Sequence, residues 1–241
     1  MKKALITGGA GFVGTALIKR LLKKYPSIEI VSIDNYSSGY KSNHIKSKKV
    51  IYLEKDTQTL IPKKFDVNNT KSDIADVFEP DVVFHFGEFS RIVTSFDAFD
   101  NCWDFNMQGT KLVLDYCVAK KAKLIYSASS SKFGNDGKDE NLSPYAWMKA
   151  KMVELINNYA EWFNLKFEIT YFYNAYGSGQ VRTGDYATVI GIFEEQYSKG
   201  EPLTVVEPGE QSRDFTHIND IVSGVILAAE KGQQGEYPLG T

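Results

Sequence analysis

The chain has 241 residues with 28 basic and 30 acidic side chains, a formal net charge of -2 and 43% hydrophobic residues. This length predicts one large α/β domain, or a main domain with a smaller lobe. The near-neutral charge, without a basic block, argues against nucleic acid as a partner. No apolar stretch approaches the roughly 20 residues of a membrane span, so we expect no membrane partner.

The two cysteines, Cys102 and Cys117, stand in a predicted helical stretch without metal-ligand partners at close spacing. The sequence therefore predicts no metal site. Reduced cysteines that only fill a core are typical of a cytoplasmic protein, which is the compartment that we expect.

The first predicted element is a short buried strand over residues 2–7, followed at once by a glycine-rich turn over 8–14 and an amphipathic helix, Phe12–Lys24. Glycines at these positions permit a tight turn, a close approach of backbone to a pyrophosphate, and close packing of helix on strand. The helix N-terminus adds free N–H groups and a partial positive charge. The pattern predicts a dinucleotide site.

Two acidic residues follow the next predicted strands. Asp34 lies at the end of the second strand, where a carboxylate accepts from the ribose hydroxyls of NAD and repels the extra phosphate of NADP. A glycine turn in a plain α/β protein with an incidental aspartate is the alternative. Asp56 follows the third strand and could reach the adenine amino group, with a water-facing loop aspartate as an equally weighted alternative. We therefore predict NAD as the cofactor.

Further strands are predicted where apolar runs end at turn residues, and helices where the apolar spacing has a helical period. After the first helix these are strands over 29–33, 50–53, 81–86 and 123–127, and helices over 71–78 and 99–120. Five strands alternating with helices predict an α/β fold, a Rossmann-type doubly wound parallel sheet with right-handed connections.

The alternation of strands and helices ends near residue 174. Beyond it we predict a helix over 187–199, a strand over 203–206, a turn over 207–210 and a helix over 218–230. This pattern predicts a small lobe made of excursions from the sheet. The predicted domains are a dinucleotide-binding domain over 1–173 and a partial substrate-binding lobe, interleaved with the sheet, over 174–241.

A run of serines at the end of the fifth strand precedes a predicted helix that begins with Ser143 as N-cap and Pro144 at the first helical position. On this helix Tyr145 and Lys149 are one turn apart. An ammonium near a phenol favours the phenolate, so Tyr145 could act as general acid and base for a hydroxyl being oxidised. A chance Tyr-x-x-x-Lys pair on an amphipathic helix is the alternative.

Taken together, these motifs resemble those of the extended short-chain dehydrogenases/reductases of the NAD-dependent sugar-nucleotide epimerase/dehydratase family, with UDP-glucose 4-epimerase-type members as the nearest likeness. The motifs run through nearly the whole chain. They are 7–14, Asp34-Asn35 with Ser38-Gly39, His85-Phe86-Gly87, Asn106 with Gly109-Thr110, 127–134, Tyr145 with Lys149, 173–177 and Arg213-Asp214-Phe215.

The resemblance implies a role for each matched residue. Ser129, Tyr145 and Lys149 would be catalytic, with Lys149 also holding the nicotinamide ribose. Ser129, Tyr145, Asn174 and Arg213 would contact the substrate, Arg213 by gripping a diphosphate. A surface ion pair of Arg213 with Asp214 or Glu210 is the alternative. The cofactor would be bound by Gly8, Gly11, Phe12, Val13, Gly14, Asp34, Asn35, Ser38, Gly39, Asp56, Phe86, Gly87, Tyr145 and Lys149.

The reaction implied by the resemblance is epimerisation of a nucleotide-diphosphate sugar at C4 through a 4-keto intermediate. A reductase or dehydratase, or a non-catalytic dinucleotide-sensing protein, are the alternatives. Ser130 and Ser131 stand where dehydratases carry an Asp-Glu pair, which argues against dehydration and against decarboxylases that use a Glu there. A homodimer through helices near 99–120 and 144–163 is also implied.

Two features depart from the family pattern. Glu88 stands in a loop where members usually have small apolar residues, and contact with the sugar or cofactor and a purely local bond stay open as interpretations. Residues 236–241 resemble a strand from the middle of a family member, so we expect the substrate lobe to be incomplete at the C-terminus.

Overall fold

The computed structural model describes residues 1–60, 77–184 and 186–240, with 134–138 described by their backbone alone. The predicted helix over 71–78 begins outside the described residues. No helix in the described part of the chain is both long and apolar enough to span a membrane.

A parallel sheet forms the centre of the fold, as the sequence predicts. In the described ranges its seven strands have the order β3-β2-β1-β4-β5-β6-β9, which is the doubly wound order of a Rossmann fold with one added strand. Two strands beyond the five predicted ones extend it, β6 and β9. The strands are β1 (Lys3–Thr7), β2 (Glu29–Asp34), β3 (Val50–Glu54), β4 (Val82–His85), β5 (Lys123–Ser129), β6 (Phe167–Phe172) and β9 (Glu236–Leu239).

Helices cover both faces of the sheet, which explains why its central strands are apolar on both sides. Helices α1 (Phe12–Lys24) and α7 (Ile218–Lys231) pack on one face, against β-strand residues such as Ala4 and Phe84. Helices α4 (Thr110–Lys120) and α5 (Pro144–Phe163) pack on the other, around Leu5 and Tyr126.

The predicted single helix over 99–120 is wrong. The structure has α2 (Thr94–Asp97), α3 (Phe99–Trp103), a π-helical turn (Asp104–Gly109) and then α4. Buried Asn106 lies in the π-helical turn, where its amide accepts from Phe89 N at 2.7 Å and donates to Phe89 O at 3.1 Å. A π-turn aims one residue out of the regular helical spacing, and such turns are frequent beside functional sites.

The predicted strand over 203–206 is also wrong, because this stretch is irregular and its side chains are exposed, Val206 by 78%. The small second sheet is formed instead by β7 (Asn174–Tyr176) and β8 (Phe215–His217), which pair in parallel. The remaining helix of this region is α6 (Val189–Lys199). The chain then returns through α7 and β9 to the main sheet.

Two turns meet where the strand order reverses, between β1 and β4. Gly8 has φ 72°, a left-handed conformation that favours glycine, and a Cβ there would lie 2.8 Å from Gly87 N. A Cβ on Gly14 would overlap the Gly8 carbonyl, so α1 can begin this close to β1 only with glycine. Open α/β sheets bind ligands in the crevice at such a reversal.

Candidate active site

A cleft of about 940 Å³ lies along the carboxyl ends of the strands and brings the predicted site residues together. Gly39 is the one predicted site residue that does not line it. A Cβ on Gly39 would lie 3.0 Å from Asp34 Oδ2, so this glycine lies behind the carboxylate. The predicted residues lining the cleft are Gly8, Gly11, Phe12, Val13, Gly14, Asp34, Asn35, Ser38, Asp56, Phe86, Gly87, Ser129, Tyr145, Lys149, Asn174 and Arg213.

Asp34 ends β2 beside the glycine turn. Its carboxylate accepts hydrogen bonds from Ala10 N at 2.9 Å and Tyr36 N at 2.8 Å. Burial raises the pKa of Asp34, while the two backbone N–H groups oppose that rise by stabilising the carboxylate. Both oxygens keep lone pairs, so the carboxylate can accept from a further pair of hydroxyls.

A loop packs over the glycine turn and fixes the entrance to this part of the cleft. The Ala10 carbonyl accepts from Tyr40 N at 3.2 Å and from Asn43 Nδ2 at 2.8 Å. On the outer rim, Asn35 Nδ2 donates to the exposed Asp56 at 2.7 Å. The loop therefore links β2 and β3 across the cleft mouth.

Helix α5 begins as the sequence predicts and places Tyr145 and Lys149 in the cleft. The Ser143 hydroxyl caps it by accepting from Ala146 N at 3.1 Å, and Pro144 is the first helical residue. Tyr145 N lies 3.3 Å from the Ser95 hydroxyl, which also ties the start of α5 to helix α2.

Lys149 forms a buried ion pair with Glu88. Their side chains are only 6% and 2% exposed, and the ammonium also donates to Ser127 O at 2.6 Å. The other carboxylate oxygen of Glu88 accepts from Tyr126 OH and from Thr110 Oγ1, both at 3.0 Å. Glu88 thus bonds locally, one of the two interpretations left open by the sequence, and it also lines the cleft.

The same network continues through His85 to the glycine turn. Since Thr110 Oγ1 donates to Glu88, it must accept from His85 Nε2, 2.9 Å away. His85 Nδ1 then accepts from Thr7 Oγ1 at 2.7 Å, and that hydroxyl accepts from Gly87 N at 2.9 Å. Each proton in this chain of bonds has one consistent position.

Burial lowers the pKa of His85 to about 4, because the imidazole is enclosed and its neutral form is favoured. The neighbouring Glu88 carboxylate raises the pKa and Lys149 lowers it, both by less than burial does. His85 is therefore neutral at physiological pH and acts as one donor and one acceptor, as the network requires.

Ser129 is oriented at the tip of β5. Its hydroxyl oxygen accepts from Ser131 Oγ at 2.8 Å and from Ser131 N at 3.3 Å. With its acceptor side engaged in this way, the Ser129 O–H is left to donate into the cleft. Ser130 and Ser131 also line the cleft, and no carboxylate stands at either position.

The predicted substrate contacts Asn174 and Arg213 meet on the rim, next to the small β7–β8 sheet. Asn174 Nδ2 donates to Asp214 O at 2.9 Å, and Arg213 Nη1 donates to Ser212 O at 2.7 Å. Among the residues described, the ion pairs include none between Arg213 and Asp214 or Glu210. The arginine is exposed and borders the cleft.

Sequence reasoning missed part of the cleft wall. Arg91, Tyr186, Thr188 and the buried Gln180 line the side facing the β7–β8 sheet, and the Arg91 guanidinium lies 5.3 Å from the centre of the Tyr186 ring. These residues come from loops without periodicity, so only the arginine, in the loop after β4, carried a signal that could have been used.

Comparison with known families and proteins gives a consistent result. The model of the NAD dependent epimerase/dehydratase family matches residues 4–240. The UDP-N-acetyl-alpha-D-glucosaminuronate decarboxylase of Bacillus cytotoxicus is 30% identical over 250 residues, which cover 98% of this chain and 73% of that protein.

Solved structures agree in fold. The UDP-N-acetylglucosamine 4-epimerase from Methanobrevibacter ruminantium M1 is 25% identical with a TM-score of 0.86, over 99% of this chain and 76% of that chain. The UDP-glucose 4-epimerase from Thermotoga maritima has a TM-score of 0.87 over 99% of this chain and 77% of its own, and at 24% identity it shows the fold alone.

The buried His85 makes the stability of the fold pH-dependent. The unfolded chain takes up this proton near pH 6.5 and the folded chain only near 4, so stability is lost as the pH falls through that window. Between pH 7 and about pH 4.5 we expect the free energy of unfolding to fall by about 2 to 3 kcal/mol more for the wild type than for His85→Gln. Urea denaturation at both pH values measures this difference. Equal losses in the two proteins would contradict a neutral, buried His85.

Proposed function

This chain belongs to the NAD dependent epimerase/dehydratase family, and on that premise we propose that it epimerises a nucleotide-diphosphate sugar at C4 through a 4-keto intermediate. One observation supports the proposal most. Tyr145 and Lys149 share a single cleft with Ser129, Asp34 and the glycine turn.

The residues present fit NAD, the cofactor of this family. Helix α1 begins at the glycine turn with no side-chain cap and no acidic residue in its first turn, so its first N–H groups suit a pyrophosphate. A Cβ on Gly8 would meet the Gly87 backbone, which keeps the turn small enough for this approach. Asp34 suits the ribose hydroxyls and disfavours the phosphate of NADP. When bound, NAD supplies the acceptor and donor of the hydride.

The catalytic residues have complementary roles in this proposal. Tyr145 takes the proton of the C4 hydroxyl and later returns it, as a general acid and base. Ser129 donates a hydrogen bond to the same oxygen, because its own acceptor side is engaged by Ser131. Lys149 adds a positive charge one turn along α5, which favours the phenolate of Tyr145.

The rim residues suit the remainder of the substrate. Arg213 can form a bidentate contact with a diphosphate, a geometry that a guanidinium fork matches. Asn174 lies beside it through the pairing of β7 with β8. The names of the solved UDP-sugar epimerases support a nucleotide-diphosphate sugar as the substrate class.

A second class of reaction, elimination or decarboxylation, is less well supported. Ser130 and Ser131 provide hydroxyls where dehydratases carry an Asp-Glu pair, so the carboxylates for elimination are lacking at those two positions. The relative named as a decarboxylase keeps that reaction as the alternative, beside a reductase and a non-catalytic dinucleotide sensor.

We also infer a reducing, cytoplasmic compartment. Cys102 and Cys117 are free and buried, and burial raises the pKa of Cys102 to about 11. Such thiols are unreactive packing residues, which is typical of proteins that are kept reduced.

We further propose a homodimer through the region near 99–120 and helix α5. Trp103 and Trp162 are 37% and 61% exposed on these elements, and exposed aromatic residues often anchor interfaces. Trp147 packs partly against Met148 and Phe89 instead. Sedimentation velocity at micromolar concentration should give twice the chain mass, and Trp162→Glu should weaken the dimer about tenfold or more. Leu227→Glu on α7, 54% exposed, is the matched control. A monomeric wild type would contradict the dimer.

The reaction is tested by proton NMR of the protein with UDP-, GDP-, CDP- and ADP-sugars, without added reductant. We expect a C4 epimer of one sugar to appear. Tyr145→Phe should slow its formation by about a hundredfold to ten-thousandfold while NAD still binds, because only the proton transfer is lost.

Tyr173→Phe is the matched control, since Tyr173 also lines the cleft but has no proposed proton role. This variant should remain close to the wild type. An epimer formed equally fast by Tyr145→Phe, or no change in any sugar despite NAD binding, would contradict the proposed function.

A further inference from the structure

We propose that Glu88 is a positioning residue that fixes the Lys149 ammonium in the cleft and cancels its charge beside Tyr145. This inference rests on the proposed function, because it concerns how the Tyr145–Lys149 pair is set for catalysis. Its consequence is that the catalytic end of the cleft is less positive than a lone lysine would make it.

The geometry gives Lys149 a single anchored position. One Glu88 oxygen bonds the ammonium, and Ser127 O accepts from it at 2.6 Å on the other side. The second Glu88 oxygen is held by Tyr126 OH and Thr110 Oγ1 at 3.0 Å each. Both carboxylate oxygens are therefore engaged, so Glu88 cannot turn away from Lys149 without leaving buried donors unpaired.

The groups that surround this pair from other elements are uncharged at physiological pH. Burial lowers the pKa of His85 on β4 to about 4, so the imidazole is neutral. Burial also raises the pKa of Tyr126 on β5 well above its usual value, and that of Cys102 on α3 to about 11. The charge of Glu88 is thus balanced by Lys149 alone, and the pair is close to neutral as seen from the cleft.

Tyr145 faces this pair from the same helix, and one further charge reaches it. The Arg91 guanidinium interacts with Tyr145 from the loop after β4; burial lowers the arginine pKa, yet arginine remains charged throughout the working pH range. Arg91 therefore contributes a constant positive charge. Removal of the Glu88 charge would expose Tyr145 to an uncompensated Lys149 as well, and this would favour the phenolate.

The two states of the cofactor should also sense this charge. The nicotinamide ring is cationic in NAD⁺ and neutral in NADH, and Glu88 and Lys149 line the cleft in which the residues present fit NAD. Adding one net positive charge there should weaken the binding of NAD⁺ relative to NADH. Glu88 thus favours the oxidised cofactor, which suits a reaction that begins by oxidising the sugar.

Glu88→Gln removes the charge and nearly preserves the shape. We expect the acid side of the pH profile of kcat/KM to move down by about one pH unit, the size expected for one charge within several Å of a partly buried group. The ratio of the dissociation constants of NAD⁺ and NADH, measured by calorimetry, should rise about tenfold. Glu88→Ala removes the same charge with a different shape and should give the same two shifts.

Two control variants separate charge from structure. Glu88→Asp keeps the charge on a shorter arm, so the pH profile should keep its midpoint while kcat falls. Glu168→Gln breaks another buried lysine pair, Lys123–Glu168, whose carboxylate is fully buried away from the cleft. It should lower the thermal stability and leave both the pH profile and the affinity ratio unchanged.

Loss of stability in Glu88→Gln and Glu88→Ala, with an unmoved pH midpoint and an unmoved affinity ratio, would overturn the proposal and leave Glu88 a structural residue. Shifts of the same size in Glu88→Asp or Glu168→Gln would overturn it as well. The affinity measurement needs no sugar, so it decides the role of Glu88 even if no nucleotide sugar is turned over.

Discussion

The contact between the turn after β1 and the turn after β4 determines where the rest of the cleft can lie. A methyl group on Gly8 would come within 2.8 Å of the Gly87 backbone, and no side-chain rotation could relieve that overlap. Crowding of this kind costs about 1 to 3 kcal/mol and would shift the backbone on both sides. The two turns can meet only as glycines, and their meeting forms the floor between the dinucleotide region and the catalytic helix.

Polar bonds extend from this contact to the catalytic end of the cleft. The Thr7 hydroxyl receives the N–H of Gly87, and a continuous series of hydrogen bonds then leads through His85 to Glu88 and Lys149. Buried networks of this type are stabilising only when each member is satisfied. Because each bond fixes the next, the placement of Lys149 depends on the same strand ends that shape the glycine turn.

Much of the fold could be predicted from the sequence because its signals are local. The glycine turn, the apolar strands and the Ser143-Pro144 start of α5 each depend on residues within one turn of chain, and the structure confirms them. The π-helical turn could not be predicted, because it accompanies the bonds between Asn106 and a loop 17 residues earlier. The short stretch over 203–206 has the apolar character of a strand but no partner strand among the described residues.

The candidate site was predicted in its members more than in its connections. Each motif could be placed at the end of a strand, which is why nearly all the predicted residues line one cleft. The bond between Glu88 and Lys149 joins positions 61 residues apart, and no spacing rule indicates it. The role of Glu88 therefore emerges only when the fold brings β4 and α5 together.

The central claim is that one cleft removes a hydride from C4 of a sugar and returns it to the same carbon. The most direct measurement is to follow a nucleotide sugar that carries deuterium at C4, with NMR and mass spectrometry of the epimer formed in ordinary water. The account expects the deuterium to remain at C4 in the product, because the hydride never exchanges with water. Loss of the label to solvent, or inversion at another carbon with C4 untouched, would contradict it.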